Sequence, residues 1–255
     1  GNPRLFISHN DHCNNMGQES LKNKTIKGTF WSAADTFLGQ GVSFVVGIIL
    51  ARLLSPAEYG LIGMCLIVNN ILEGVVDSGF STSIIRKKDA NNDDYNTMFI
   101  VNFVISIFLY IGVFFTSSFI ADFFKKPELT DLVKVTGVII IINALSLTQN
   151  TILVKHINFK AKTKASVISA LISGVVGITL AYSGYGVWAL VTQMVTRSLF
   201  NTISLWIINR WLPNLSFSTS SFKYMWGFGW KLLVSGLLDR VWTEAYQIVV
   251  GKFYS

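Results

Sequence analysis

Seven stretches of this chain, near 29–54, 58–85, 95–120, 130–154, 164–183, 186–208 and 229–251, are each dominated by apolar residues over the length of a membrane span. About 20 mostly apolar residues carry a helix across a bilayer. Only 14% of the residues are charged and 51% are hydrophobic, against about 25% charged in a soluble protein. A water-soluble globule could not hide that apolar surface, whereas a bilayer accepts it. The sequence therefore predicts an all-α, multi-pass membrane protein.

The first run starts near Gly28 and exceeds the length of a signal-peptide core, so it reads as a signal-anchor span. Residues 1–15 fit no pattern and are expected to be upstream sequence or a tail without a role, with Met16 as the natural start. Cys13 lies in the tail and Cys65 inside the second stretch, which gives no disulfide framework.

The cations set the expected orientation. With the N-terminus in the cytoplasm, Arg4, Lys22, Lys24, Lys27, Arg86, Lys87, Lys88, Lys155, Lys160, Lys162, Lys164, Arg210 and Lys223 fall inside, thirteen in all. Arg52, Lys125 and Lys126 fall outside, with Lys134 just within the fourth stretch. That asymmetry follows the positive-inside rule. The net charge of +7 is thus a topology signal, and no nucleic-acid partner is expected. The basic segment Lys155–Lys164 is expected to lie on the inner leaflet against anionic membrane lipids, with His156 a solvated loop residue. Trp31, Trp188, Trp206 and Trp211 read as interfacial anchors.

Ionisable groups inside apolar runs mark candidate working positions, because such charges are costly there and face a bundle interior or wet cavity. Asn69, Glu73 and Asp77 are spaced i, i+4, i+8 and form one helix stripe. Asp77 lies about 12 Å from the inner end of its run at 1.5 Å per residue. Asp35 in the first run sits at a similar depth. Together, Asp35, Glu73 and Asp77 are candidates for sharing a proton or cation; the alternative is a packing hydrogen bond between helices. Arg197, midway along the sixth run, is either the ion-pair partner of Glu73 or Asp77 or a binder of an anionic group such as a diphosphate. Asp239, Arg240 and Glu244 form a further charged set and are, with Arg197, candidates for diphosphate binding or ion pairing, Arg240 and Glu244 being at i, i+4. Asn143, Ser146 and Asn150 share a face of the fourth run, with Gln149 beside them; interhelical hydrogen bonding is the favoured role, and Asn69, Asn143 and Asn150 are the candidates for lining a polar cavity. Ala170, Ser173, Gly174 and Gly177 are read as close-packing positions.

No enzyme signature is present: there is no HExxH, no GxSxG and no phosphate-cradling glycine loop. Asp89, Asp93 and Asp94 follow Lys87 and Lys88 and read as a solvated loop, without a metal. Neither a metal nor an organic cofactor is expected.

Several stretches carry a family resemblance. Lys27-Gly-Thr-Phe-Trp-Ser32 opens the first run, and Ile49-Leu-Ala-Arg-Leu-Leu-Ser-Pro-Ala-Glu-Tyr-Gly60 closes it. Asp77-Ser-Gly-Phe-Ser-Thr-Ser-Ile-Ile-Arg-Lys-Lys88, Phe119-Ile-Ala-Asp-Phe-Phe124, Lys126-Pro-Glu-Leu129 and Tyr185-Gly-Val-Trp-Ala-Leu190 follow in order. Over residues 20–255 the chain resembles the Wzx/RfbX-type polysaccharide flippases, in particular the WzxC-like branch of the MATE-related exporter superfamily. The resemblance implies flipping of undecaprenyl-diphosphate-linked oligosaccharide across the bacterial inner membrane, for lipopolysaccharide, capsule or exopolysaccharide synthesis. It implies two six-helix lobes around a central cavity and coupling to H+ or Na+. It also implies other polysaccharide-assembly membrane proteins as partners. As a class it implies intramembrane acids and basic cavity residues as working groups, without a motif that assigns them to positions here.

Ile248-Val-Val-Gly-Lys-Phe-Tyr-Ser255 echoes Ile48-Ile-Leu-Ala-Arg-Leu-Leu-Ser55, as if a second lobe begins where the chain ends. Duplicated bundles with a site between the halves are a common transporter plan. The expected organisation is a tail over 1–20, a six-helix lobe over 21–208, a cytoplasmic connector over 209–228, and the first helix of a truncated second lobe over 229–255. Such a fragment is expected to be one wall of a pathway. The alternatives are another antiporter of the superfamily (drug/cation or lipid II) or a non-transporting membrane accessory protein.

Overall fold

The computed structural model describes residues 37, 39–77 and 79–253. Asp35 and Trp31 lie outside the described residues, as do the side chains of Arg240 and Glu244. Within this range the chain is helical, with no strand among the described residues. The helices are α1 (Gly39–Leu53), α2 (Pro56–Asp77), α3 (Phe80–Arg86), α4 (Asn92–Phe124), α5 (Leu129–Lys155), α6 (Phe159–Tyr182), α7 (Val187–Asn209) and α8 (Thr219–Phe253).

Four of them, α2, α4, α5 and α6, are long and apolar enough to cross a membrane. Helix α7 has the length, but Thr192, Gln193, Thr196, Arg197 and Asn201 interrupt its apolar residues. Large apolar side chains such as Phe44, Phe108, Phe115, Phe119 and Val175 point outward and are exposed, as a lipid-facing surface requires. The chain is a multi-pass membrane protein.

Local chemistry sets the helix starts. Ser55-Pro56-Ala57-Glu58 opens α2 with Pro at the first helical position, where its missing N–H costs nothing. Glu58 Oε2 accepts from the Ser55 backbone N–H at 2.6 Å and from Ser55 Oγ at 2.8 Å. Helix α4 starts with a reciprocal capping box between Asn91 and Asp94; such boxes satisfy otherwise orphaned N–H groups.

The second stretch is not one continuous helix as the sequence predicts. It breaks after Asp77, and Gly79 sits at φ +69°. A Cβ there would lie 2.7 Å from Leu232 Cβ and 3.1 Å from the Gly229 carbonyl oxygen. The short side and left-handed backbone of glycine thus let α8 approach the break. Helix α3 is capped from another element: Lys155 Nζ donates to the carbonyls of Ile84 at 2.9 Å, Ile85 and Lys87.

The basic segment 155–164 also differs from expectation. Only His156–Asn158 link α5 to α6, and Lys160, Lys162 and Lys164 belong to α6, which Asn158 caps by accepting from the Ala161 N–H. His156 is exposed. Asp94 is not solvated: it is 1% exposed and accepts Lys87 Nζ at 2.8 Å on both oxygens. One of the cations that suggested a wet loop, Lys87, instead neutralises a buried acid.

Helices α6 and α7 pack along each other, as do α4 and α5, with α5 also against α7 and α2 against α8. The close-packing positions are used: a Cβ on Gly174 would meet Val46 Cγ2 at 2.6 Å, and one on Gly177 would meet Gln193 Cβ at 2.9 Å. One apolar cluster, with Leu54, Phe124, Leu129, Ala181 and Ala189, closes the bundle end where α1–α2, α4–α5 and α6–α7 turn. A second, with Phe80, Ile84, Tyr95, Met98, Ile152 and Met225, closes the opposite end. Trp206 and Trp211 are packed rather than free anchors: both contact Phe99, and Trp206 Nε1 donates to the Leu145 carbonyl at 3.0 Å.

Candidate functional site: a polar cavity among α2, α5, α6 and α7

Each of these four helices turns one polar stripe toward a common space, at the i, i+3/i+4 spacing that puts side chains on one face. Helix α2 supplies Glu73 and Asp77, α5 supplies Asn143, Ser146 and Asn150, α6 supplies Lys162, Ser166 and Ser169, and α7 supplies Arg197, Ser198 and Asn201. They line a cavity of about 550 Å³, with Val76, Ile140 and Leu147 among its apolar walls.

A hydrogen-bond relay crosses three of the helices. Ser198 Oγ on α7 donates to Asn143 Oδ1 on α5. Asn143 Nδ2 donates to Glu73 Oε1 on α2 at 2.6 Å. Further along the α5–α7 seam, Thr202 Oγ1 donates to the Ile142 carbonyl at 3.1 Å and Asn209 Nδ2 to Gln149 Oε1 at 2.6 Å. The Gln149 amide in turn donates to the Trp211 carbonyl at 2.8 Å. Gln149 thus holds helices together, whereas Asn143, Ser146 and Asn150 face the cavity.

Arg197 Nη1 donates to Ser43 Oγ on α1 at 2.8 Å. Among the described residues it forms no ion pair with Glu73 or Asp77, since Lys87–Asp94 and Lys134–Asp131 are the pairs found. The direct-pair reading of Arg197 is therefore not realised among these residues; the guanidinium is held toward the cavity by a hydroxyl. Asp77 lines the cavity, and its Oδ1 is buried without a hydrogen-bond partner among the described residues. Asn69 is buried beside the site rather than lining it. Asp239 is exposed on α8, where its carbonyl accepts from Thr243 Oγ1, and it does not line the cavity.

Lys162, Ser166 and Ser169 are cavity residues that sequence reasoning missed. Lys162 counts as a loop cation when the loop is drawn to Lys164. The usable signal is the i, i+4, i+7 spacing of Lys162, Ser166 and Ser169, which continues the helix back through the cations.

The cavity thus combines two carboxylates on α2, cations on α6 and α7, and a belt of amides and hydroxyls. Such a set offers charges of both signs beside many hydrogen-bond donors and acceptors.

The polysaccharide biosynthesis protein family model matches residues 49–255. The chain belongs to this family. It is similar to the succinoglycan biosynthesis transport protein ExoT of Rhizobium meliloti, at 23% identity over 223 residues, which cover 88% of this chain and 45% of ExoT. It is also similar to the lipopolysaccharide biosynthesis protein WzxC of Escherichia coli, at 25% over 239 residues covering 91% of this chain and 48% of WzxC. The teichuronic acid biosynthesis protein TuaB of Bacillus subtilis is 24% identical over 237 residues, covering 92% of this chain and 49% of TuaB. The resemblance drawn from the motifs is borne out. The chain spans about half the length of the curated relatives it matches. No solved structure matches the chain.

Proposed function

We propose that this chain forms one wall of a pathway that flips a lipid-linked oligosaccharide across the bacterial inner membrane. The observation that carries the reading is the cavity itself, where Glu73 and Asp77 share one space with Lys162 and Arg197 inside a membrane bundle. Membership of the polysaccharide biosynthesis family and likeness to the transport protein ExoT support it.

The cargo joins a diphosphate to sugars. Arg197 and Lys162 suit the diphosphate, because a guanidinium fork and an ammonium both bind phosphate oxygens strongly. The amides and hydroxyls of Asn143, Asn150, Ser166 and Asn201 suit sugar hydroxyls. In the two-lobe arrangement a second six-helix lobe covers this face, and the N-terminus lies in the cytoplasm.

Glu73 suits coupling to H+ or Na+. As a carboxylate it accepts from Asn143 through Oε1; a proton on the carboxyl leaves an acceptor but removes the charge that strengthens the bond. Protonation would then loosen α2 from α5 and let the wall move.

The test is restoration of surface polysaccharide in a flippase-null strain by the gene of full family length. Glu73→Gln and Arg197→Ala are each expected to reduce it at normal protein levels. Full restoration by both removes the cavity from the mechanism.

A further inference from the structure

The link between α7 and α8, residues 210–218, has its polarity turned inside out. Its polar groups face the protein. Asn214 N–H donates to Asn96 Oδ1 at 3.0 Å, and Ser216 Oγ accepts from Asn96 Nδ2 at 2.9 Å and donates to Asp93 Oδ1 at 3.1 Å. Ser218 N–H donates to Thr97 Oγ1 at 3.0 Å. Trp211 packs inward on Tyr95 and Phe99, but the next three large apolar side chains are outward: Leu212 is 75% exposed, Leu215 82% and Phe217 52%. The first turn of α4 pins the backbone, so these three cannot turn inward without breaking that set of bonds.

A loop bathed in water would show the opposite pattern. Exposed cations flank the segment at Arg210 and Lys223, and half-exposed Tyr224, Trp226 and Trp230 follow it along α8. Cations and amphipathic aromatics beside an apolar edge match the chemistry of a headgroup boundary, where anionic lipids meet acyl chains.

We propose that residues 210–218 are an interfacial anchor, with Leu212, Leu215 and Phe217 inserted at the headgroup–acyl boundary and Arg210 and Lys223 against anionic headgroups. This lipid contact is additional to the one expected of the segment 155–164 and lies beyond α7, on a strap held by Asp93, Asn96 and Thr97. The anchor fixes the start of α8 relative to the bilayer, whatever the cargo.

The experiment places an environment-sensitive fluorophore at Leu215→Cys, and separately at Phe217→Cys, in a Cys13→Ser background; Cys65 is buried and left in place. The whole chain is reconstituted in phosphatidylcholine vesicles with and without phosphatidylglycerol. Blue-shifted emission is expected at both positions, quenched more by nitroxide near the headgroup than deep in the acyl chain, and little by aqueous iodide. Arg210→Gln with Lys223→Gln should weaken the shift in phosphatidylglycerol vesicles and leave it unchanged in phosphatidylcholine. Iodide quenching without nitroxide quenching, at both positions, overturns the proposal. Shielding from both quenchers also overturns it, because protein then covers the strap.

Discussion

Asn143 donates to Glu73 at 2.6 Å, tying α5 to α2 across the cavity wall while its own oxygen accepts from Ser198 on α7. One amide thus joins three helices, and removing it should cost more than removing a surface amide. Interhelical hydrogen bonds in membranes average about 0.6 kcal/mol and reach about 1.7. Asn143→Ala is expected to lose about 1–2 kcal/mol of stability by thermal unfolding in detergent. Glu73→Gln keeps an acceptor for Asn143 and should stay near wild type in the same assay.

The break after Asp77 requires glycine twice, for φ +69° and for the approach of Leu232. Gly79→Ala should destabilise by roughly 1–3 kcal/mol from backbone strain alone, with the clash added. Gly112→Ala, on helix α4 with no atom within 4 Å of the added methyl, should be neutral or stabilising. Parallel melting curves of the two variants check the contrast.

Much of this architecture is legible in the sequence, because apolar length marks the helices of a membrane protein and Ser55-Pro56-Ala57-Glu58 spells out a helix start. The stripe Glu73–Asp77 and the face Asn143–Ser146–Asn150 are also legible, since helical spacing alone puts them on common sides. The break at Gly79 is not, because Ser78-Gly79 lies within an apolar run and only the packing of α8 selects a bend there. Lys162 is hidden for a different reason: cations near a span end look like loop residues until the helix is seen to continue through them. The burial of Asp94 depends on Lys87 folding back over it, which spacing in a loop does not reveal.

Asp94 is buried and its charge is met by Lys87 at 2.8 Å, with the Lys87 side chain 27% exposed. Removing one partner of a buried pair leaves an uncompensated charge, typically a loss of roughly 3–5 kcal/mol. Lys87→Met is expected near about 3 kcal/mol, at the low end because the pair is partly wet. A thermal shift smaller than that of Lys88→Met, an exposed neighbour, would show that Asp94 is satisfied without Lys87.

Glu58 closes the start of α2 and lies against the α6–α7 turn, where a Cβ on Gly186 would collide with its carboxylate. Glu58→Ala should cost about 1 kcal/mol as a lost cap. Gly186→Ala should cost more, because φ +56° and ψ −132° suit only glycine. Thermal unfolding of both variants ranks the two effects.

The role of the cavity is tested most directly by flipping of a lipid-linked oligosaccharide in proteoliposomes of the full family-length protein, with and without an imposed H+ or Na+ gradient. Glu73→Gln should fold normally and lose the acceleration that the gradient gives. Flipping by Glu73→Gln at the wild-type rate, with the same gradient dependence, contradicts a working role for the α2 acid.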